Sequence, residues 1–356
     1  MDRSQIEAAP ASAIKLRRVA AWRGIRVLAW DRDVLYACRG YQIVRLHVGK
    51  NASAWELVAR FAPPWWRNLT SRISLTYRLV RDGFHALTVV DGETLVGAVP
   101  GAIVMRAAGS DEFRVTHRIL RGTRPLHLTA VPSGKIYWGE YFDNRERAEV
   151  HIYFSEDRGA TWQVAHTFPA GSIRHVHNIV HDPWGDCLWI LTGDEGKECK
   201  ILRASCDLRA MDTVTEGNQQ ARAVAAIPTH DALYISTDTP HEVNHIYRFD
   251  PSGRLERSGT LNSSSMYGCH AGGALFFSTM VEPSTVNTDR EVHIVGGKRG
   301  THWQTVLRWK KDILPMRYFQ YGNAVLPDGE NTTRYLAVTT IAVENADLTT
   351  MLWEIA

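Results

Sequence analysis

Short apolar runs alternate with clusters of Gly, Pro, Asp and Asn along the whole chain. No long stretch repeats its apolar residues at helical spacing between capping residues. The pattern therefore predicts strands joined by turns, an all-β chain. One combination recurs: an apolar strand, a turn, then a strand of the form Leu-Tyr or Leu-Trp. It appears at 27–36, 128–138, 179–189, 224–234, 267–276 and 323–336, and more loosely at 78–88. Seven units at this spacing match the length of four-stranded propeller blades. The blades are expected near 23–62, 73–120, 124–168, 174–215, 220–260, 266–308 and 319–356. Together they make one β-propeller domain over 14–356, preceded by a flexible tail at 1–13.

The last unit stops one strand short. Its final run, Met351-Leu-Trp-Glu-Ile355, aligns with a third strand and no fourth follows. The chain begins with Ile14-Lys-Leu-Arg-Arg-Val19, a strand with no partner of its own. An open ring exposes an unpaired strand edge at each end of the chain. The first strand is therefore expected to complete the last blade.

One turn is explicit. Ser155-Glu156-Asp157-Arg158-Gly159-Ala160-Thr161-Trp162 reads S-x-D-x-G-x-T-W between two strand-like runs. Ser and Asp bond their own backbone, and Gly takes a positive φ. Ser205 and Asp207 repeat its first half, and Gly300 with Trp303 repeats its second. This octapeptide resembles the Asp box of the sialidase-like (BNR) β-propellers. The resemblance implies that the box joins the third and fourth strands at one rim, with ligands bound near the axis at the opposite rim. It also implies glycan chemistry with an arginine cluster for a substrate carboxylate. Sialidases have six blades, so six is the alternative count. Seven-bladed relatives include polysaccharide lyases and non-enzymatic scaffolds.

Composition narrows the classes. The 356 residues carry 41 Lys+Arg against 38 Asp+Glu, a formal charge of +3, too balanced to argue for nucleic acid or a membrane surface. Five Cys without C-x-x-C spacing argue against a disulfide framework or a zinc cluster. The expected compartment is the cytoplasm, since the first residues lack a signal-like apolar run and no segment has membrane-span length. P-loop, dinucleotide-binding, zincin and nucleophile-elbow motifs are missing.

The rim opposite the box collects the polar residues. Two imidazoles, His175 and His177, fall two apart on one strand, with His127 at the equivalent point of the preceding blade. They are read as a catalytic base, as ligands of a divalent metal at the axis, or as channel filling. No cofactor is otherwise required. Glu140, Asp194 and Glu242, with Asp143, Glu195 and Glu282, supply the carboxylates that glycoside hydrolysis needs in facing pairs. Arg124, Arg174, Arg222 and Arg290 are read as a cluster for an acidic sugar. Tyr267 and Tyr321 are read as a nucleophile or proton donor, and Asn178, Asn323 and Glu282 as further substrate contacts. The expected partner is an oligosaccharide or polysaccharide. The expected function is cleavage of a glycosidic bond by hydrolysis or elimination, the alternative being a non-catalytic carbohydrate- or protein-binding scaffold.

Overall fold

Strands in this chain pair with their sequence neighbours, and the exceptions close a ring. A computed structural model describes residues 13–49 and 54–356. The expected tail, apart from residue 13, lies outside the described residues. Seven sheets are formed. Their first strands are Arg26–Arg32, Ala86–Val90, Thr129–Ala130, Val176–Asp182, Ala223–Pro228, Ser265–Ala271 and Asn323–Val325. The first strand of one blade packs against the corresponding region of the next, so these strands surround the axis.

Burial along a blade follows from that geometry. Second strands such as Thr94–Val99, Cys187–Thr192 and Ala274–Thr279 are buried throughout, which is why they read as continuous apolar runs. Fourth strands such as Arg114–Arg118 face solvent and read as mixed polar runs. The core is divided into seams. Phe84, Leu95 and Val104 pack with Tyr36 and Ile43 between the first two blades. Phe276 and Ile294 pack with Leu336 and Val338 between the last two. The remaining blade pairs have their own clusters.

The first strand, Leu16–Arg23, lies antiparallel to Thr349–Ile355, from Leu16 opposite Ile355 to Arg23 opposite Thr349. It is the fourth strand of the seventh blade, as the missing partner predicts. A second closure lies nearer the axis. Asp328–Asn331 runs parallel to the first blade's inner strand, with Ala29 opposite Asp328. Between them, the Val27 N–H donates to Thr339 Oγ1 (2.9 Å) and Thr350 Oγ1 donates to the Ile25 carbonyl (2.6 Å).

The all-β expectation fails locally at the start of the second blade. Residues 74–80, expected to enter a strand, form α2 (Ser74–Val80), preceded by α1 (Trp65–Thr70). A third short helix, α3 (Met316–Phe319), precedes the seventh blade. Pro64 stands at the α1 N-terminus, where its missing N–H costs nothing, and Arg81 ends α2 at φ 53°. Each helix spans about two turns or fewer, too short for an amphipathic period to show. Buried Arg78 of α2 binds the Phe319 carbonyl and Asp312, which ties the insertion to α3.

The Ser155–Trp162 turn joins the third and fourth strands of its blade. Asp157 Oδ1 accepts from Ser155 Oγ and the Thr161 N–H, both at 2.8 Å, and Oδ2 accepts from Thr161 Oγ1 (2.6 Å). Gly159 sits at φ +87°, and a Cβ there would come within 2.6 Å of Val96. Trp162 donates to Thr116 Oγ1 on the preceding blade (3.1 Å), and Trp303 donates in the same way to Ser258 Oγ (2.8 Å). Ser205 and Asp207 repeat the turn bond at 2.7 Å. Asp157 thus shapes a turn, on the rim away from the loops described below.

No helix among the described residues is long and apolar enough to cross a membrane. All five cysteines are free. Removing residues 1–23 deletes the closing strand. Thermal unfolding followed by circular dichroism should show the midpoint lowered by roughly 10 °C or more, since about 1 kcal/mol moves a domain of this size by only a few degrees. An unchanged midpoint would refute the closure.

Candidate functional site

Connections between blades and loops between second and third strands share one rim with α1 and α2. Inner strands reach that rim bent. The first, fourth, fifth and sixth blades each carry a register shift just after the inner strand begins, at Val27/Ala29, Val176/Asn178, Ala223/Ala225 and Ser265/Tyr267. Such bulges re-aim side chains. Here they lie beside residues that differ in charge from one side of the ring to the other.

On the fourth and fifth blades the cluster is mixed and densely bonded. His175 and His177 are buried, with their Nε2 atoms 3.0 Å apart. Asp194, in the loop after the second strand, lies 3.2 Å from His177 Nε2 and 3.5 Å from His175 Nε2. Arg174 Nη1 and Arg222 Nη2 each approach the same carboxylate to 3.3 Å. Burial alone raises the Asp194 carboxyl. The two histidines outweigh it and hold the group far below the usual carboxylate range. Asp238, the residue after the fifth blade's second strand, lies 3.5 Å from Arg222. Its carboxyl is pushed up to about 7 by burial, opposed by Arg222 and reinforced by Glu282 and Asp194. Asp238 Oδ1 and Glu282 Oε2 are buried with no hydrogen-bond partner among the described residues. Tyr141 lies against His175, ring centroids 4.3 Å apart, and burial pushes its hydroxyl up to about 12.

On the first three blades the cluster is basic. Arg26 opens the first inner strand and is buried. Its Nη1 meets His85 Nδ1 at 3.0 Å, and His85 Nε2 meets the Arg81 carbonyl at 2.8 Å. The carbonyl can only accept, so His85 carries its proton on Nε2 and accepts from Arg26. Burial, then Arg124, Arg26 and Arg81, lower the His85 pKa well below its ordinary value, so the ring is neutral at pH 7. Arg124, two residues before the third blade's Leu126–His127 approach to its inner strand, is half-buried. Burial beside Arg26 and Arg81 pushes its guanidinium down to about 9, still charged at neutrality. Arg26 Nε and Tyr77 Oη are buried without hydrogen-bond partners among the described residues. No carboxylate is among the groups that set the Arg124 or His85 charge. A cavity of about 370 Å³ opens beside Arg26 and Tyr77, lined also by Arg23, Arg72 and Asp347, whose carboxylate lies 3.3 Å from Arg78. Next to it α1 and α2 expose Trp65, Trp66, Leu69, Ile73, Leu75 and Leu79.

The expected residues do not form one cluster. His127 leaves the other two imidazoles, bonds Asp328 (2.9 Å) and packs edge-on to Tyr267, so Asp194 takes the third position. Arg174 and Arg222 are paired with acids, Arg290 is exposed, and only Arg124 joins other arginines. Inner-strand starts are spread around a ring, so equivalent positions on distant blades do not meet. Glu140 is not free for acid–base work. Both of its oxygens are held by Arg121, and Oε2 also accepts the His151 N–H (2.8 Å). Glu242 is exposed and bonded to Gln220 Nε2 (2.6 Å). Glu282 and Tyr321 lie near the acidic half, where Glu282 raises the Tyr321 hydroxyl after burial and Arg81 opposes it. Asn178 Nδ2 donates to the Val224 carbonyl (2.9 Å), while Asn323 Oδ1 accepts the Ala324 N–H, leaving both structural.

Sequence reasoning missed Arg26, His85, Arg81, Tyr77, Tyr141 and Asp238. Arg26 and His85 stand at the starts of inner strands, the criterion that selects Arg174 and Arg222, so it reaches them when applied to the first two blades. Asp238 follows a fully buried second strand, much as Asp194 does. Arg81 and Tyr77 belong to the helical insertion that the repeat pattern does not reveal.

No protein-family model matches the chain, and no curated protein does. Solved structures do match. A chain of a mitotic checkpoint complex is 11% identical with 99% of each chain covered and a TM-score of 0.57. The Cps50 (Swd1) β-propeller domain of Myceliophteria thermophila is 10% identical over 96% of this chain and 100% of that one, TM-score 0.57. YCF48, bound to D1 peptide, is 12% identical over 98% of each, TM-score 0.56. At these identities the likeness is one of fold. The chain is a seven-bladed β-propeller.

Asp238 supplies a test of the acidic half. An unfolded Asp titrates near ~3.9, and the folded group near about 7. The folded state therefore holds the extra proton between those values, and stability falls as pH rises through that window. Asp238→Asn removes this loss. Its melting temperature relative to the native chain should rise between pH 5 and pH 8. A difference that does not change with pH would remove the assignment.

Proposed function

We propose that this chain is a non-catalytic binding propeller for a protein partner. The partner presents acidic side chains to the basic half of the mouth and apolar ones to the α1–α2 ridge. The observation that carries this reading is the arginine group of Arg26, Arg81 and Arg124, which lacks a carboxylate partner and leaves Arg26 Nε unbonded. Guanidinium groups bind a carboxylate by charge-assisted hydrogen bonds, and for buried Arg26 the desolvation is already complete, whereas Arg81 is exposed and Arg124 half-buried. The exposed Trp and Leu side chains of α1 and α2 stand beside the same recess. An apolar patch bordered by charge is the usual composition of a protein-binding surface. The YCF48 propeller, bound to D1 peptide, is a fold-level precedent for peptide capture. Kinship with Asp-box propellers rests on the Ser155–Trp162 turn and belongs to this proposal, not to its premises.

A second reading, cleavage of a glycosidic bond in an acidic saccharide, draws on Asp238. A carboxyl that titrates near neutrality beside a second acid, Glu282, is the pairing a general acid needs. Glu140 and Glu242 take no part in this version.

A displayed random-peptide library separates the readings. Selected peptides should be rich in Asp or Glu next to apolar residues. Arg26→Ala, Arg124→Ala and Leu69→Asp should each weaken them roughly tenfold, the order of one lost charge-assisted contact. Neutral or basic selections, or indifference to these variants, would overturn the proposal. New ultraviolet absorbance or reducing ends from acidic oligosaccharides, lost in Asp238→Asn, would establish the enzymatic reading instead.

A further inference from the structure

We infer that His175, His177 and Asp194 form a binding site for a divalent transition-metal ion, separate from the basic recess. The argument starts from tautomers. His175 Nδ1 lies 3.0 Å from the Phe142 carbonyl oxygen, and His177 Nδ1 lies 2.9 Å from that of Ala223. A carbonyl only accepts, so both Nδ1 atoms carry the ring proton of a neutral imidazole. Both Nε2 atoms are then bare lone pairs. They face each other at 3.0 Å, with Asp194 oxygens at 3.2 and 3.5 Å. With both rings neutral none of these atoms has a hydrogen to share, so the cluster needs among them either a proton, through which the histidines hold the Asp194 carboxyl low, or a metal ion.

The geometry suits a metal. Ligands held about 2.0–2.1 Å from one ion lie roughly 3–3.5 Å apart, the separations found here. Two imidazoles and one carboxylate are a donor set for first-row divalent ions. The backbone carbonyls on Nδ1 fix ring orientation in the way outer-shell partners of metal-bound histidines do. The fold supplies the rigidity. One ring anchors to the third blade's loop and the other to the first residue of the fifth blade's inner strand, so the pair is pinned across three blades.

Charge agrees. Arg174 and Arg222 both touch Asp194 and oppose a cation. Against them stand Asp194, Asp238 on Arg222 and Glu282 near Arg222, while Asp143 on Arg174 is also paired with Arg145. In their ionised forms these three carboxylates outnumber Arg174 and Arg222 by one, a charge that a cation offsets. Asp289, Glu291 and His293 also cluster. There His293 spends Nε2 on Asp289 (2.9 Å) and faces Thr305 with Nδ1, so no bare nitrogen is left over.

The test uses the full-length chain, treated with chelator and dialysed, then titrated with Co²⁺ and with Zn²⁺. Calorimetry should give about one equivalent bound, and Co²⁺ should develop visible ligand-field bands, as a nitrogen–oxygen site requires. His177→Gln and His175→Gln should weaken binding roughly 10-fold or more, with thermal melts confirming that each is folded. His293→Gln and Arg124→Ala should bind as the native chain does, which keeps this result independent of the peptide experiment. Absence of stoichiometric binding by the native chain would show that a proton alone bridges the histidines, and would overturn the inference. Native-like affinity in both His177→Gln and His175→Gln would overturn it as well.

Discussion

Everything at the mouth depends on closure of the ring. Seven sheets stand around one axis only if the first and last blades are joined as firmly as their neighbours. The chain does this twice, with Leu16–Arg23 on the outer edge of the last blade and Asp328–Asn331 against the inner strand of the first. Backbone hydrogen bonds carry both joints, and the Thr339 and Thr350 hydroxyls bridge the gap between them. An edge left open would break the seam that holds Trp30, Leu35, Leu352 and the ring of Tyr77. Tyr77 and Arg26 border the same cavity, so the closing joint and the basic recess are one piece of structure.

Closure then decides which side chains meet. Inner strands of the first, fourth, fifth and sixth blades arrive at the rim bulged, and each delivers the residue at its start. Residues on adjacent blades come within bonding distance, as His177 does with the Ala223 carbonyl. Residues on distant blades do not. This spacing divides the mouth into a basic side built on Arg26, His85 and Arg124, and a mixed side built on His175, Asp194, Arg222 and Asp238.

The repeat was legible because strand burial writes itself into composition. Second strands are covered on both faces and become apolar runs, so their count could be read, although the second blade's strands start later than expected because helix occupies 74–80. The turn at Ser155–Trp162 was legible because Asp, Gly and Trp each answer a local need. The helical insertion was not, since α1 and α2 are too short to display a period and their purpose, covering the rim beside the first blade, is not local. Arg26 and His85 met the same positional criterion as Arg174 and Arg222 and were still passed over. Nothing in the adjacent sequence marks them as partners of each other with no carboxylate between them.

The sequence by itself determined the repeating strand pattern, its seven units and the strand that closes the ring. These follow from periodicity and from the need to pair a strand edge, which act along the chain, whereas the rim assignment came from the resemblance of the Ser155–Trp162 turn to an Asp box. The tertiary structure alone decided that Asp194 and not His127 completes the histidine pair, that Glu140 is consumed by Arg121, and that Arg124 has arginines for neighbours. Those outcomes depend on which blades are adjacent and on the direction of side chains across a gap. Electrostatic interactions act over ångströms in space, and residues many tens of positions apart carry no record in the chain of standing three ångströms from one another.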